Sequence, residues 1–168
     1  MSASEPFPRP KRRSGEELSI RRHQARVIAL QVLFEVDMTD HPLGDVLARA
    51  LTEQEATDAI ANHVSRLVNG VIAHQEVVDG RIAEAAPAFP VDQLPLVDRN
   101  VLRVATYELM QETSVPPKAA INEAVEIAKR FGGPNSSKFV NGALRTILQG
   151  IERERSQGSE GKPAQSGE

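Results

Sequence analysis

Cysteine is missing from all 168 residues, which removes disulfides, thiolate metal sites and thiol nucleophiles together and makes a reducing, cytoplasmic setting the simplest expectation. Tryptophan is missing too, and one Tyr and five Phe are the whole aromatic complement. The core must therefore be built from Leu, Val, Ile and Ala, a palette that suits packed helices. No apolar run approaches the roughly 18 residues needed to span a bilayer, and the basic amino terminus is not followed by an apolar signal segment.

The common catalytic constellations are also lacking. The four histidines, His23, His41, His63 and His74, include no pair at the i, i+4 spacing of a helical metal site with an acid nearby. Arg-Phe-Gly-Gly-Pro-Asn at 130–135 has neither the lysine nor the spacing of a phosphate loop, and there is no Gly-x-Ser-x-Gly elbow. Acidic residues are scattered over helix surfaces without a matched acid and base. The expectation is a binding protein that is not an enzyme and has no metal or cofactor.

What is present is an uneven charge. The chain carries −3 overall, yet residues 9 to 26 hold seven cations (Arg9, Lys11, Arg12, Arg13, Arg21, Arg22 and Arg26) against Glu16 and Glu17, a local +5 that leaves −8 for the rest. Such a separation attracts a polyanion to one end of the molecule. Residues 1–17, with three prolines and little apolar content, read as a flexible basic arm, and residues 155–168, rich in Ser, Gly, Gln and Glu, as a disordered tail.

Between these ends the apolar spacing is helical nearly throughout, which predicts an all-α domain over 18–154. Ile20, Val27, Ala29, Leu30, Leu33, Phe34 and Val36 mark a first helix ending before Pro42. A short helix follows near 43–51. One long helix is expected over about 53–86, on the repeat of Ile60, Val64, Leu67, Val71 and Val78. Pro87 and Pro90 end it. Further helices are expected over 97–112, from Pro117 to the Gly132-Gly133 cap, and from about Asn135 onward. The proline-rich stretch 87–95 divides this compact bundle into two small helical subdomains, about 18–88 and 89–154.

Two helix starts stand out. Arg21, Arg22, His23 and Arg26 place cations where the helix dipole is already positive, which costs about 0.3 to 1 kcal/mol each at exposed sites. An RNA phosphate lying there would turn that cost into a contact, joined by the upstream Lys11, Arg12 and Arg13. At 135–139, Asn135, Ser136, Ser137, Lys138 and Phe139 set small polar groups, a cation and an aromatic at a second helix start, suited to a phosphate and an unstacked base.

Three stretches carry a resemblance: RRHQARVIALQVLFEVD (21–37), LPLVDRNVLRVATYEL (94–109) and VPPKAAINEAVEIAKRFGGPNSSKFVNGALRTI (115–147). With their connecting helices they resemble the NusB family over 20 to about 152, and the third, with Ala-Ile-Asn-Glu-Ala-Val followed by Lys-Phe-Val-Asn-Gly, is the most specific. The resemblance implies an all-α fold of two helical subdomains. It further implies binding to boxA-type single-stranded RNA of ribosomal RNA operons, and transcription antitermination beside the small-subunit ribosomal protein acting as NusE. NusA, NusG and RNA polymerase complete the implied complex.

Carried over by position, the RNA-binding start matches Arg21, Arg22 and Arg26, and the second RNA-contact segment Asn135, Lys138 and Phe139. The partner-binding surface matches Phe34 and Asp98. Asn122, Glu123, Asn141 and Gly142 also fit the signature and read as caps and close packing. Here His23 and Gln24 thin the arginine run, and Asn135 stands where family members often carry Asp, which should strengthen RNA binding modestly.

Two other functions remain in view. A NusB-like module also fronts certain ribosomal RNA cytosine methyltransferases, but these residues hold no methyl-donor domain and no catalytic cysteine. A structural adaptor touching a membrane is disfavoured because the first helix lacks segregated basic and aromatic faces.

Overall fold

The structure is a computed structural model and describes residues 13–160. Among the described residues there are seven α-helices, one 3₁₀ turn and no strand: α1 (Arg13–Met38), α2 (Leu43–Glu53), α3 (Asp58–Ala73), α4 (Gln75–Ala85), the turn Val91–Gln93, α5 (Leu96–Gln111), α6 (Pro117–Phe131) and α7 (Ser136–Glu160). The all-α expectation holds.

α5 is the centre of the molecule. It packs against α1, α3, α4, α6 and α7, and every residue from Asp98 to Leu109 is buried. One apolar cluster runs from Ala25 of α1 through α5 to Ile151 of α7, so the segments before and after the proline-rich stretch share a core.

A helix buried on all sides must also bury its polar side chains, and each of these needs a partner. Arg99 donates to Asp37 Oδ2 at 2.9 and 2.6 Å and to the carbonyls of Val91 and Asp92 at 3.2 and 3.1 Å. Arg103 makes a two-pronged pair with Asp79 at 2.8 and 2.9 Å. Glu108 takes Arg26. These ties fasten α5 to the end of α1, to the 3₁₀ turn, to α4 and to the middle of α1. Because Asp37 meets Arg99 while Arg26 meets Glu108, α1 and α5 run antiparallel.

Gly70 is required by packing. A methyl group there would lie 2.1 Å from Tyr107 Cζ, so only glycine lets α3 approach the α5 aromatic ring this closely.

Several boundaries differ from expectation. The long helix over 53–86 is two helices. α3 starts only at Asp58, where Thr57 Oγ1 accepts from Ile60 N at 3.4 Å, and the chain breaks again at His74. There the Nδ1–H donates to the Gly70 carbonyl at 2.9 Å. Val71 and Val78, seven residues apart, are buried on either side of the break, so the apolar spacing runs through it unaltered.

At the amino end, α1 already includes 13–17, assigned to the arm; Glu16 in the first turn complements the helix dipole. Ile20, expected on the buried stripe, is 58% exposed, because these first turns extend past the apolar cluster, whose first member is Ala25. At the other end α7 continues to Glu160 from its buried anchor Ile151. Residues 155–160 are thus helical, propagated from a packed helix rather than nucleated afresh. The rest of the arm, with Lys11 and Arg12, and positions 161–168 lie outside the described residues.

Candidate nucleic-acid interface

Arg21 is exposed and Arg22 partly so. Arg22 lines a groove of about 310 Å³ between the start of α1 and the start of α6, beside Leu18, Pro116 and Asn122. His23 is half-buried, and its Nδ1–H donates to Glu123 Oε2 at 2.7 Å. Glu123, read as packing, therefore orients this imidazole.

Arg26 has a different fate. Only 5% of it is exposed, and its guanidinium is committed to Glu108, with Glu123 Oε2 3.7 Å away. Burial works against its charge, but the hydrogen bond and charge of Glu108 outweigh it and raise the Arg26 pKa. Arg26 is thus a structural cation tying α1 to α5, at the inner end of the groove that Arg22 lines. Arg22 lies one turn before Arg26, ahead of the apolar cluster that begins at Ala25, whereas position 26 already lies on the face turned to α5.

A residue that sequence reasoning missed extends the basic surface. Arg130, at the end of α6, lines a second groove of about 360 Å³ together with His23 and Gln24. Its guanidinium also lies 4.9 Å from the centre of the exposed Phe131 ring. A cation in the last turn of a helix suits the dipole, so its place in the sequence carries no separate signal of binding. α7 begins at Ser136, six residues after Arg130.

At that start Asn135 and Lys138 are exposed and Phe139 is half-buried. The Asn135 carbonyl accepts from Phe139 N at 3.1 Å, which makes Asn135 the capping residue. Ser136 is buried and accepts from Gly133 N at 2.9 Å, holding the glycine turn. Asn135, Lys138 and Phe139 line one open groove of about 600 Å³ with Phe89 from the proline-rich stretch and Gly142 from α7. Phe89 and Phe139 meet edge to face, centres 5.5 Å apart at 74°. Gly142 was read as close packing, yet a methyl group there would meet nothing within 4 Å.

Phe34 is half-buried one turn before Asp37, and Asp98 precedes Arg99, so the Asp37–Arg99 pair brings these two segments together. Asp98 is only 6% exposed, and its Oδ1 has no hydrogen-bond partner among the described residues. Phe34 is the more accessible of the two. None of the described residues form a cluster able to hold a metal ion, and no helix among them is long and apolar enough to cross a membrane.

Fold and surface together define an all-helical domain with cation-lined grooves at the starts of α1 and α7 and at the end of α6. The comparisons make this specific. The NusB family model matches residues 23–149, and the chain belongs to that family. It is 49% identical over 140 residues to the transcription antitermination protein NusB of Chloroflexus aggregans, covering 82% of this chain and 93% of that one. Against the protein of the same description from Bacillus subtilis it is 39% identical over 134 residues, 80% of this chain and 99% of the other.

Among solved structures, T. maritima NusB superposes with a TM-score of 0.74 at 34% identity, covering 81% of this chain and 96% of that chain. A chain from a complex of the antitermination factors NusB and NusE with double-stranded RNA gives 0.72 at 26% identity, covering 78% and 98%.

Proposed function

We propose that this protein is a cytoplasmic RNA-binding transcription antitermination factor, not an enzyme, that engages boxA-type RNA of ribosomal RNA operons together with a NusE-type ribosomal protein. The observation that carries the reading is that a cation lines each of three grooves. Arg22 lines the first, Arg130 the second beside His23 and Gln24, and Lys138 the third. Spaced cations over successive grooves suit a phosphate backbone, and an aromatic beside the last of them suits an unstacked base.

Arg21, Arg22, His23, Arg130, Asn135, Lys138 and Phe139 make up this RNA face; Arg26 supports it from within. Phe34 and Asp98 form the ribosomal-protein face, where a donor on the partner would satisfy the Asp98 carboxylate. The related NusB described in complex with NusE and RNA supports both partners. NusA, NusG and RNA polymerase belong to the larger complex in which such a pair would suppress termination.

The test is binding of the purified full chain to a short boxA-type RNA and to a scrambled control over a salt series. Preference for boxA, with affinity falling as salt rises, is expected, because several phosphates are neutralised. Equal, weak binding to both RNAs would reduce the protein to a structural adaptor.

A further inference from the structure

We propose that the groove between Phe89 and Gly142 is a subsite for one unpaired nucleobase of RNA, with Phe89 as an aromatic wall and Gly142 as its floor. The inference rests on the RNA-binding reading above and adds two residues to it. The first observation is the exposure of Phe89: 55% of this large apolar residue faces solvent.

Its position is nonetheless fixed. Pro87 and Pro90 bracket it, its N–H donates to the Ala86 carbonyl at 3.1 Å, and a residue before proline has few backbone conformations open to it. The ring is further held edge to face by Phe139. An aromatic that is exposed yet preorganised gives up little freedom when a flat partner stacks on it.

Gly142 is the second, independent observation. It lies inside α7, where glycine is disfavoured against alanine, and no neighbour demands it, since an added methyl group meets nothing within 4 Å. Helix propensity favours a side chain here, and packing permits one. What a side chain would obstruct is the open groove that Phe139, Gly142 and Thr146 line along one face of α7.

The neighbouring charge selects the occupant. Lys138 is exposed and lines the groove together with Asn135 at the start of α7, the end of a helix where the dipole is positive. A flat π-system carried on an anionic backbone satisfies the rings and the cation at once. An apolar protein segment would use only the rings.

The experiment uses the full chain and a short single-stranded boxA-type RNA, read by fluorescence anisotropy. Phe89→Ala and Gly142→Leu should each weaken binding about tenfold, within the range seen on losing one base–aromatic stack. Gly142→Ala should melt no lower than the parent and still bind more weakly, which a purely structural glycine would not produce. With bases removed one at a time to leave abasic positions, one position should weaken the parent while costing Phe89→Ala nothing more. If Phe89→Ala and Gly142→Leu bind like the parent while Arg22→Ala and Lys138→Ala are weakened, the subsite is wrong and the RNA face stands. If all four bind like the parent, both fail, and the groove is left to a protein partner. Because Phe89 is exposed, its variant decides the matter even should Gly142→Leu not fold.

Discussion

Arg26 and Glu108, 82 positions apart in sequence, meet through two parallel hydrogen bonds of 2.7 and 2.8 Å with both side chains almost wholly removed from water. Such a pair is held by mutual compensation, and removing one partner strands a buried charge. Arg26→Ala or Glu108→Ala should each lower the unfolding free energy by about 3 to 5 kcal/mol in urea denaturation, while Arg26→Met combined with Glu108→Leu should cost much less. If single and double variants are equally stable, the pair contributes nothing and the structural role given to Arg26 is mistaken.

The proposed RNA face predicts a contrast among arginines. Arg22→Ala and Arg130→Ala should each weaken RNA binding and reduce the salt dependence by about one phosphate contact, roughly 0.7 in the log–log slope for a single strand. Neither should shift the melting temperature much, since both side chains reach solvent. An unchanged slope in the Arg130 variant would remove it from the path of the RNA.

His63 predicts a pH dependence. Burial, reinforced by the positive charges of Arg66, Arg26 and Arg22 and only partly offset by Glu112, pushes its pKa down from 6.5 to about 4. Between those values the unfolded chain binds the proton more readily than the folded one, so stability falls as pH is lowered from 6.5 towards 4 and is unaffected by this group above 6.5. His63→Gln should flatten that part of the stability–pH curve relative to the parent, and parallel curves would show that His63 is not responsible.

Gly70 predicts a steric penalty. Gly70→Ala drives a methyl group into the Tyr107 ring, and overpacking of this kind costs about 1 to 3 kcal/mol. Adding Tyr107→Leu should recover part of the loss, a coupling that a double-mutant cycle would reveal. Strict additivity would mean that the two positions do not constrain each other.

For the proposed ribosomal-protein face, Asp98→Asn keeps the side-chain volume and removes the charge. It should weaken the complex with the ribosomal protein while costing only about 0.3 to 1 kcal/mol of stability, the value of an acid in the first turn of a helix. A complex of unaltered affinity, measured by calorimetry, would take Asp98 out of that face.

Most of the helical architecture was legible because proline, glycine and apolar spacing act locally. The break at His74 was not, since the heptad step from Val71 to Val78 continues through it. Arg22 and Lys138 could be recognised as surface cations from their place at helix starts. Arg26 could not be told apart from Arg22 by spacing, because its partner lies on α5 and only the folded chain brings them together. Phe89 was hidden by its surroundings: a loop phenylalanine among prolines carries no periodic signal, and what gives it meaning is the ring of Phe139 on a helix that starts far along the chain. Gly142 was visible but misread, since whether a glycine serves packing or openness depends on what stands opposite.

The charged rungs of α5 bear on how the molecule comes apart. Glu108 supports the α1 segment from which Arg22 projects, and Arg99, next to Asp98, supports the other end of α1, with about 15 Å between Glu108 and Asp98 along the α5 axis. Since that helix contributes to the interior on both sides of the prolines, neither end can melt while the other persists, and loss of RNA contact and loss of the ribosomal partner should coincide in a single cooperative denaturation.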